Sequence, residues 1–444
     1  MWKTRSWNCS AKGGKCVQLK VGHIFINDIQ FGDQTEVKDG VLFVNRQELE
    51  ELLLEDEHLA SVQLELAHPG DSVRIMPVKD VIEPRVKPEV EGGIFPGLVG
   101  RMFTAGRGTT HVLKGVGVVT TGRIVGYQEG IIDMSGPGAD YTPFSKLHNL
   151  VICAEPVEGI TPHQHEASLR RMGLKAANYL GEAGRLLTSD EIITYETLPI
   201  PEQHAKYADL PKVAYVYMLQ SQGLLHDTYF YGVDVKNIVP TFMYPTEVMD
   251  GAIVSGNCVS ACDKNTTYHH LNNPVIHDLF KRHGTDLCFV GCVITNENVT
   301  LLDKQRSSDL TARLVEALGV DGVIISEEGF GNPDTDLIMN CNKIEAKGIK
   351  TVLLTDEFAG QDGTSQSLAD GSPAADAIVS GGNANALITL PPMERVIGSV
   401  EPAEVIAGGF KGNRREDGSI VVELQAIIGA TNELGFNKLT AREY

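Results

Sequence analysis

One stretch of the sequence concentrates groups capable of chemistry: Thr246-Glu247-Val248-Met249-Asp250-Gly251-Ala252-Ile253-Val254-Ser255-Gly256-Asn257-Cys258-Val259-Ser260-Ala261-Cys262-Asp263-Lys264-Asn265-Thr266-Thr267-Tyr268-His269-His270. Three readings fit it. Cys258 and Cys262 lie four apart and would share a helix face, where His269 or His270 could complete a Cys/His metal set; two adjacent histidines, however, do not easily converge on one ion. The segment is alternatively a Gly-rich connector holding core cysteines and surface histidines. The third reading is self-processing at Asn257-Cys258. A thiol can attack the carbonyl that precedes it and move the acyl group from nitrogen to sulfur, and Gly256 gives a strained turn the backbone freedom for this. Loss of the Cys258 α-proton to a base then expels the sulfur as a thioacid, and the dehydroalanine left behind hydrolyses to a pyruvoyl group. The twenty side chains offer no carbonyl electrophile, whereas a pyruvoyl ketone condenses with amines and withdraws electrons much as pyridoxal phosphate does. Spacing alone does not choose among the three.

The elements that must position this segment are clearest in the last third. Leu287 to Ile294, Val323-Ile324-Ile325 and Thr351-Val352-Leu353-Leu354 read as buried strands. Between them, Leu310, Leu314 and Leu318 make one helical stripe ended by Gly319, and Leu337, Cys341 and Ile344 make another stopped by Gly348. Such alternation predicts a parallel sheet covered by helices. Its strand ends read Thr295-Asn296-Glu297, Ser326-Glu327-Glu328 and Thr355-Asp356-Glu357. Ligands collect at that edge, and carboxylates there suit a cationic ligand or a magnesium ion; acidic residues also cap the helices that follow such strands. Gly329-Phe330-Gly331 lacks the third glycine of a dinucleotide fingerprint, and neither a phosphate loop nor a Gly-x-Ser-x-Gly elbow is present.

Upstream, alternation over Val21 to Asn27, turns at Gly32-Asp33 and Gly40, and Val41-Leu42-Phe43-Val44 predict a hairpin. Asn45 with Glu48 resembles a capping box. Pro69 to Pro96 reads as short strands and a connector, and Gly136-Pro137-Gly138 as a surface loop over the site or against a partner. Leu150-Val151-Ile152-Cys153 and Val213 to Met218 are strands, and a helix follows Pro162. The expected organisation is a tail over 1–18, a β-rich domain over 19–148, an α/β region over 149–257 ending at the processing bond, and an α/β domain over 258–444. The fold class is α/β, with a β-rich N-terminal region followed by a parallel-sheet region with helices on both faces.

Composition narrows the function classes. With 38 Lys and Arg against 58 Asp and Glu, the net charge of −20 opposes nucleic acid binding. The doublets Arg170-Arg171 and Arg414-Arg415 read as solvated surface. No apolar run approaches the ~20 residues of a membrane span, and Met1 to Cys16 lacks the apolar core of a secretory leader. A cytoplasmic location follows as the expectation, with the eight cysteines reduced and mostly in the core. No metal centre is expected.

The run Tyr244 to Tyr268, together with Asp28-Ile29-Gln30-Phe31-Gly32, Thr109 to Gly115 and Gln128 to Ser145, resembles the α/β proprotein of component B of the glycine, sarcosine and betaine reductases. The resemblance runs from Leu19 to the C-terminus. It implies cleavage between Asn257 and Cys258, with Cys258 becoming a covalent, self-derived pyruvoyl group. It also implies a small amine substrate, glycine first, with sarcosine or betaine as alternatives; a quaternary amine such as betaine cannot condense in the ordinary way. The nucleophile would come from a selenocysteine-containing component B subunit. Selenoprotein A would receive the carboxymethyl group, component C would release acetyl phosphate, and the thioredoxin system would supply reducing equivalents. Within this frame Asp263, His269 or His270 is a candidate base or proton donor, and Lys264 a candidate partner for a substrate carboxylate. Pyruvoyl decarboxylases use the same electrophile but normally make it from serine. A non-catalytic α/β protein binding a small ligand at the acidic strand ends is the alternative of another class.

Overall fold

Five apolar runs form the centre of a seven-stranded sheet, in the spatial order Cys288–Asn296, Lys212–Leu219, Gly322–Ser326, Lys350–Glu357 and Ala377–Asn383. All five are parallel, with the antiparallel strands Thr241–Met243 and Thr440–Arg442 on the two edges. This computed structural model describes residues 16–442 apart from 91–93, 224, 226, 257–259 and 438. Asn257, Cys258 and most of the expected tail lie outside the described residues.

In chain order the five parallel strands run 2-1-3-4-5, a doubly wound arrangement whose crevice opens beyond the carboxyl ends of the first and third strands. Those ends are Gln220 and Glu327-Glu328. Side chains alternate across the first strand. Ala214, Val216 and Met218 pack with Val315, Leu337 and Cys341 from the helices Leu301–Leu318 and Asn332–Glu345. Tyr215, Tyr217 and Leu219 face the other way, toward Ile276 and Leu279 of the helix Pro274–Arg282 and toward Leu19, Val21 and Val112. The latter three belong to a four-stranded sheet ordered Glu191–Thr197, Val17–Phe25, Gly108–Lys114 and Arg85–Val86. The α/β class and its parallel, helix-covered sheet are as expected.

A six-stranded sheet completes the core: Gly130–Asp133, Val73–Ile82, Val116–Gly122, His148–Pro156 and Leu59–Ala67 in order, with Arg395–Gly398 pairing alongside Val73–Ile82. Every residue of Val73–Ile82 is buried, including Arg74, Lys79 and Asp80. Against it, Arg74 donates to both oxygens of Asp133 at 2.7 and 2.8 Å.

Two expectations change. Val17–Phe25 does not pair with Val41–Asn45; it lies between Glu191–Thr197 and Gly108–Lys114. The hairpin is instead Glu36–Lys38 with Val41–Asn45, turned at Asp39 and Gly40, whose positive φ values of 53° and 76° fit a tight two-residue turn. Alternation marks a strand without naming its partner. Arg170 is not solvated: it is buried, with Nε donating to Glu166 at 2.9 Å and the guanidinium lying over the Tyr229 ring. Gly136-Pro137-Gly138 lies at the surface as expected, with Gly136 and Pro137 exposed, and leads into the short 3₁₀ turn Pro137–Tyr141, which a second, Pro143–Lys146, follows.

Candidate active site

The chain approaches the Asn257-Cys258 position on a short strand, Ile253–Ser255, paired antiparallel with Thr228–Phe230. Gly256 N then donates to the Asp227 carbonyl, Ser255 N donates to Thr267 Oγ1 at 3.1 Å, and Ser255 Oγ donates to the Gly256 carbonyl at 2.9 Å. Beyond it, Cys262 N donates to the Gln425 carbonyl and Lys264 N to the Ser260 carbonyl. The chain enters the helix Thr267–Leu271 through a capping box. Thr266 Oγ1 accepts from His269 N, and His269 Nδ1 accepts from Thr266 N at 3.2 Å, an imidazole standing where Glu or Gln is usual. Asp80 anchors the helix start, accepting from Thr267 N at 2.9 Å and Thr267 Oγ1 at 2.6 Å.

Asp263, Lys264, His269 and His270 are all buried. The histidines are therefore not the surface residues of the connector reading. Burial pushes both rings down to about 3; at His270 the His269 ring and the Lys264 charge add to the effect, while at His269 the Lys264 backbone opposes it and the Lys264 charge adds to it. His269 packs against Phe144 from the second 3₁₀ turn and against Phe436, with centroids at 5.1 and 4.4 Å. His270 Nδ1 meets the Tyr217 hydroxyl at the sheet, and Nε2 is buried without a partner among the described residues. Cys262 Sγ is directed to Asp356 Oδ2 at 3.7 Å. Cys262, His269 and His270 thus have separate partners and form no ligand set among the described residues.

The acidic strand ends converge on the same region. Glu328 accepts from Gln220 N at 3.1 Å and from Asn265 N at 2.9 Å, while Glu328 N donates to Glu297. Asn265 Nδ2 donates to Glu433 at 2.7 Å, and Thr431 Oγ1 to Asp356 at 2.9 Å. Glu297, Glu327, Glu328, Asp356 and Glu433 are all buried. Removal from water favours their neutral forms, and each carboxyl raises its neighbours further. Glu297, Glu327, Asp356 and Glu433 are pushed well above the usual carboxylate range, and Glu328 to about 8. Asp263, whose two oxygens have no hydrogen-bond partner among the described residues, is also pushed to about 8, by burial and then by Asp334. The arrangement is a buried cluster of carboxyls that favours their protonated, neutral forms.

Of the four candidates near Cys258, Asp263 acts directly on Glu328, Asp356 and Glu433, acids from two strand ends and a later turn. Tyr217, Gln220, Asp80, Asn265 and Glu433 are the partners that sequence reasoning missed. Three of them carried a signal: Tyr217 lay in the predicted strand Val213 to Met218, Gln220 two residues past its end, and Asn265 inside the central segment.

The model for glycine/sarcosine/betaine reductase component B subunits matches residues 17–442. This chain belongs to that family. It is 67% identical to glycine reductase complex component B subunits alpha and beta of Acetoanaerobium sticklandii, over 96% of this chain and all of that one. The protein of the same description from Peptoclostridium acidaminophilum is 64% identical, with the same coverage. The sarcosine reductase complex component B subunit alpha of the latter organism is 59% identical, again over 96% of this chain and all of that one. No solved structure matches. As a component B chain of an amino-acid reductase, the molecule has an oxidoreductase role. No helix among its described residues is long and apolar enough to cross a membrane.

Proposed function

We propose that this component B chain cleaves itself between Asn257 and Cys258, that Cys258 becomes a pyruvoyl group heading residues 258–444, and that the paired fragments bind glycine for reductive deamination toward acetyl phosphate. The observation that carries the reading is the relatives' own description: single chains, matched over their whole length, bear the name of two subunits, alpha and beta. Glycine is preferred because the two relatives named for it are more similar than the one named for sarcosine.

A pyruvoyl ketone supplies an electron-withdrawing carbonyl that amines attack. The surroundings of Cys258 fit such a group. The chain is pinned up to Gly256 and again from Ser260, and the unpartnered oxygens of buried Asp263 leave polar capacity to be met. His269 and His270 are neutral, each with its Nδ1 lone pair used inside the fold, toward Thr266 N and the Tyr217 hydroxyl, so what each ring has to offer is the proton on Nε2. Asp263, holding its own proton at neutral pH, is suited to deliver one to a departing amine. Lys264 offers the charge that a substrate carboxylate needs. The selenocysteine-containing component B subunit brings the nucleophile, selenoprotein A takes the carboxymethyl group, component C releases acetyl phosphate, and the thioredoxin system supplies reducing equivalents.

A denaturing gel of the expressed chain tests cleavage: two fragments are expected, the 258–444 piece blocked to Edman degradation and reactive with borohydride. Cys258→Ala is expected to stay a single 48.1 kDa band. A single band from the unmutated chain, or a free amino terminus on the second fragment, overturns the reading. Assay of the reconstituted complex with glycine, sarcosine and betaine assigns the substrate by which amine yields acetyl phosphate.

A further inference from the structure

Far along the chain from Cys258, three strand termini bring nitrogen and oxygen donors to one point. Asp28 opens the strand Asp28–Gly32, His68 follows Leu59–Ala67, and His148 opens His148–Pro156. His68 Nδ1 lies 3.2 Å from His148 Nδ1 and 3.2 Å from Asp28 Oδ1, and His148 Nδ1 lies 3.8 Å from that same oxygen. The point equidistant from the three atoms is about 2.0 Å from each, which is the bonding distance of Zn²⁺ to imidazole nitrogen and carboxylate oxygen. A ring N–H lying between two of these atoms satisfies one edge of the triangle; a cation at its centre satisfies all three.

We infer that Asp28, His68 and His148 form a binding site for a divalent transition-metal ion of the Zn²⁺ class. Two imidazoles and one carboxylate are the donor set such ions select. The carboxylate is held in place, since Asp28 Oδ1 accepts from Ile29 N at 2.9 Å and Oδ2 accepts from Gln30 Nε2 at 2.7 Å. His68 is steadied by its backbone N–H, which donates to Asp71 Oδ2 at 2.9 Å. Such supporting contacts orient metal ligands. The side chains are 19 to 35% exposed, which leaves the fourth position open to water. The bound ion would clip the three-stranded sheet that Asp28 begins onto the six-stranded sheet that holds Asp80. The inference is independent of the pyruvoyl reading.

The test uses the full chain stripped of metal, then titrated with Zn²⁺ calorimetrically and with Co²⁺ by absorption. One equivalent is expected, with tetrahedral or five-coordinate cobalt bands, no thiolate charge-transfer band, and a melting temperature raised by a few degrees. His148→Gln and Asp28→Asn are each expected to weaken binding at least about ten-fold. Absence of binding by the unmutated chain, unchanged affinity in both variants, or a thiolate band pointing to the cysteines overturns the site. Should a variant fail to fold, the cobalt spectrum of the unmutated chain still decides between nitrogen and oxygen donors and sulfur.

Discussion

The hydroxyl of Tyr217 lies 2.7 Å from Nδ1 of His270, joining the end of the first parallel strand to the helix that follows the processing position. Burial pushes the phenol well above its ordinary range, so it keeps its proton, and pushes the imidazole down to about 3, so the ring is neutral. Tyr217 is therefore the donor, Nδ1 the acceptor, and the ring proton is held on Nε2. Tyr215, stacked on Tyr217 with centroids 5.0 Å apart, keeps the phenol in place.

That relationship predicts the outcome of Tyr217→Phe. The variant removes one buried hydrogen bond, a loss of ~1–3 kcal/mol, and lets His270 take either tautomer. Turnover of the assembled enzyme is expected to fall on the order of ten-fold, with a change in the His270 ¹⁵N shifts that a purely packing role of Tyr217 would not produce. Unchanged turnover and unchanged shifts would count against it.

Asp80 makes a second prediction. Its carboxyl is buried and pushed up to about 6, with Lys264 opposing the rise, and both oxygens accept from Thr267. Asp80→Ala leaves Thr267 N and Oγ1 without acceptors in a buried place, at a cost of ~1–3 kcal/mol. The helix start that follows Cys258 loses its anchor, and conversion to two fragments after synthesis is expected to slow several-fold, as followed by pulse-chase on denaturing gels. Cleavage at the original rate would show that the anchor does not govern the processing geometry.

The carboxyl of Asp263 gives a pH dependence with a definite sign. Burial pushes it up to about 8 in the folded chain, from the 3.8 of a free aspartate. Between those values the folded chain holds a proton that the unfolded chain has lost, so this group's stabilisation is complete below pH 3.8, falls as pH rises, and is gone above about 8. The slope for one such group is at most ~1.4 kcal/mol per pH unit. In the uncleaved Cys258→Ala chain, urea midpoints are expected to drop from pH 5.5 to 8.5, and adding Asp263→Asn should flatten that slope. An equal slope in both chains assigns the pH response to the other buried carboxyls.

How much of this was legible in the sequence depends on the kind of signal. Cys288–Asn296, Gly322–Ser326 and Lys350–Glu357 are buried on both faces and so appear as apolar runs, and Gly319, with φ 63°, ends its helix where the stripe stops. Val73–Ile82 is as deeply buried but was hidden, because Arg74, Lys79 and Asp80 satisfy their charges within the fold. The acidic strand ends were visible as residues, whereas their burial was not. Asp28, His68 and His148 are separated by 40 and 80 positions; pairing of Leu59–Ala67 with His148–Pro156 brings the histidines together, and packing of the separate strand Asp28–Gly32 against them adds the carboxylate.

The sheet order makes a last prediction about the fragments. Lys212–Leu219 belongs to residues 1–257, yet its neighbours on both sides, Cys288–Asn296 and Gly322–Ser326, belong to 258–444. Arg395–Gly398 likewise pairs with Val73–Ile82 across the proposed cut. Side chains cross it as well: buried Arg85 donates to the Leu271 carbonyl at 3.3 Å, and half-buried Lys114 donates to Asn272 at 2.9 Å. Separating the fragments would expose the central strand of a parallel sheet on both edges and take the Leu271 carbonyl from the Arg85 guanidinium, so the proposed scission at Asn257-Cys258 would change one bond without loosening the fold. Native mass spectrometry of cleaved protein is expected to give one species of the full 48.1 kDa plus or minus the small mass change of processing. The two pieces should appear only in denaturant, and residues 258–444 expressed alone should not fold. Fragments that part under native conditions would show that the strand order across the cut is wrong.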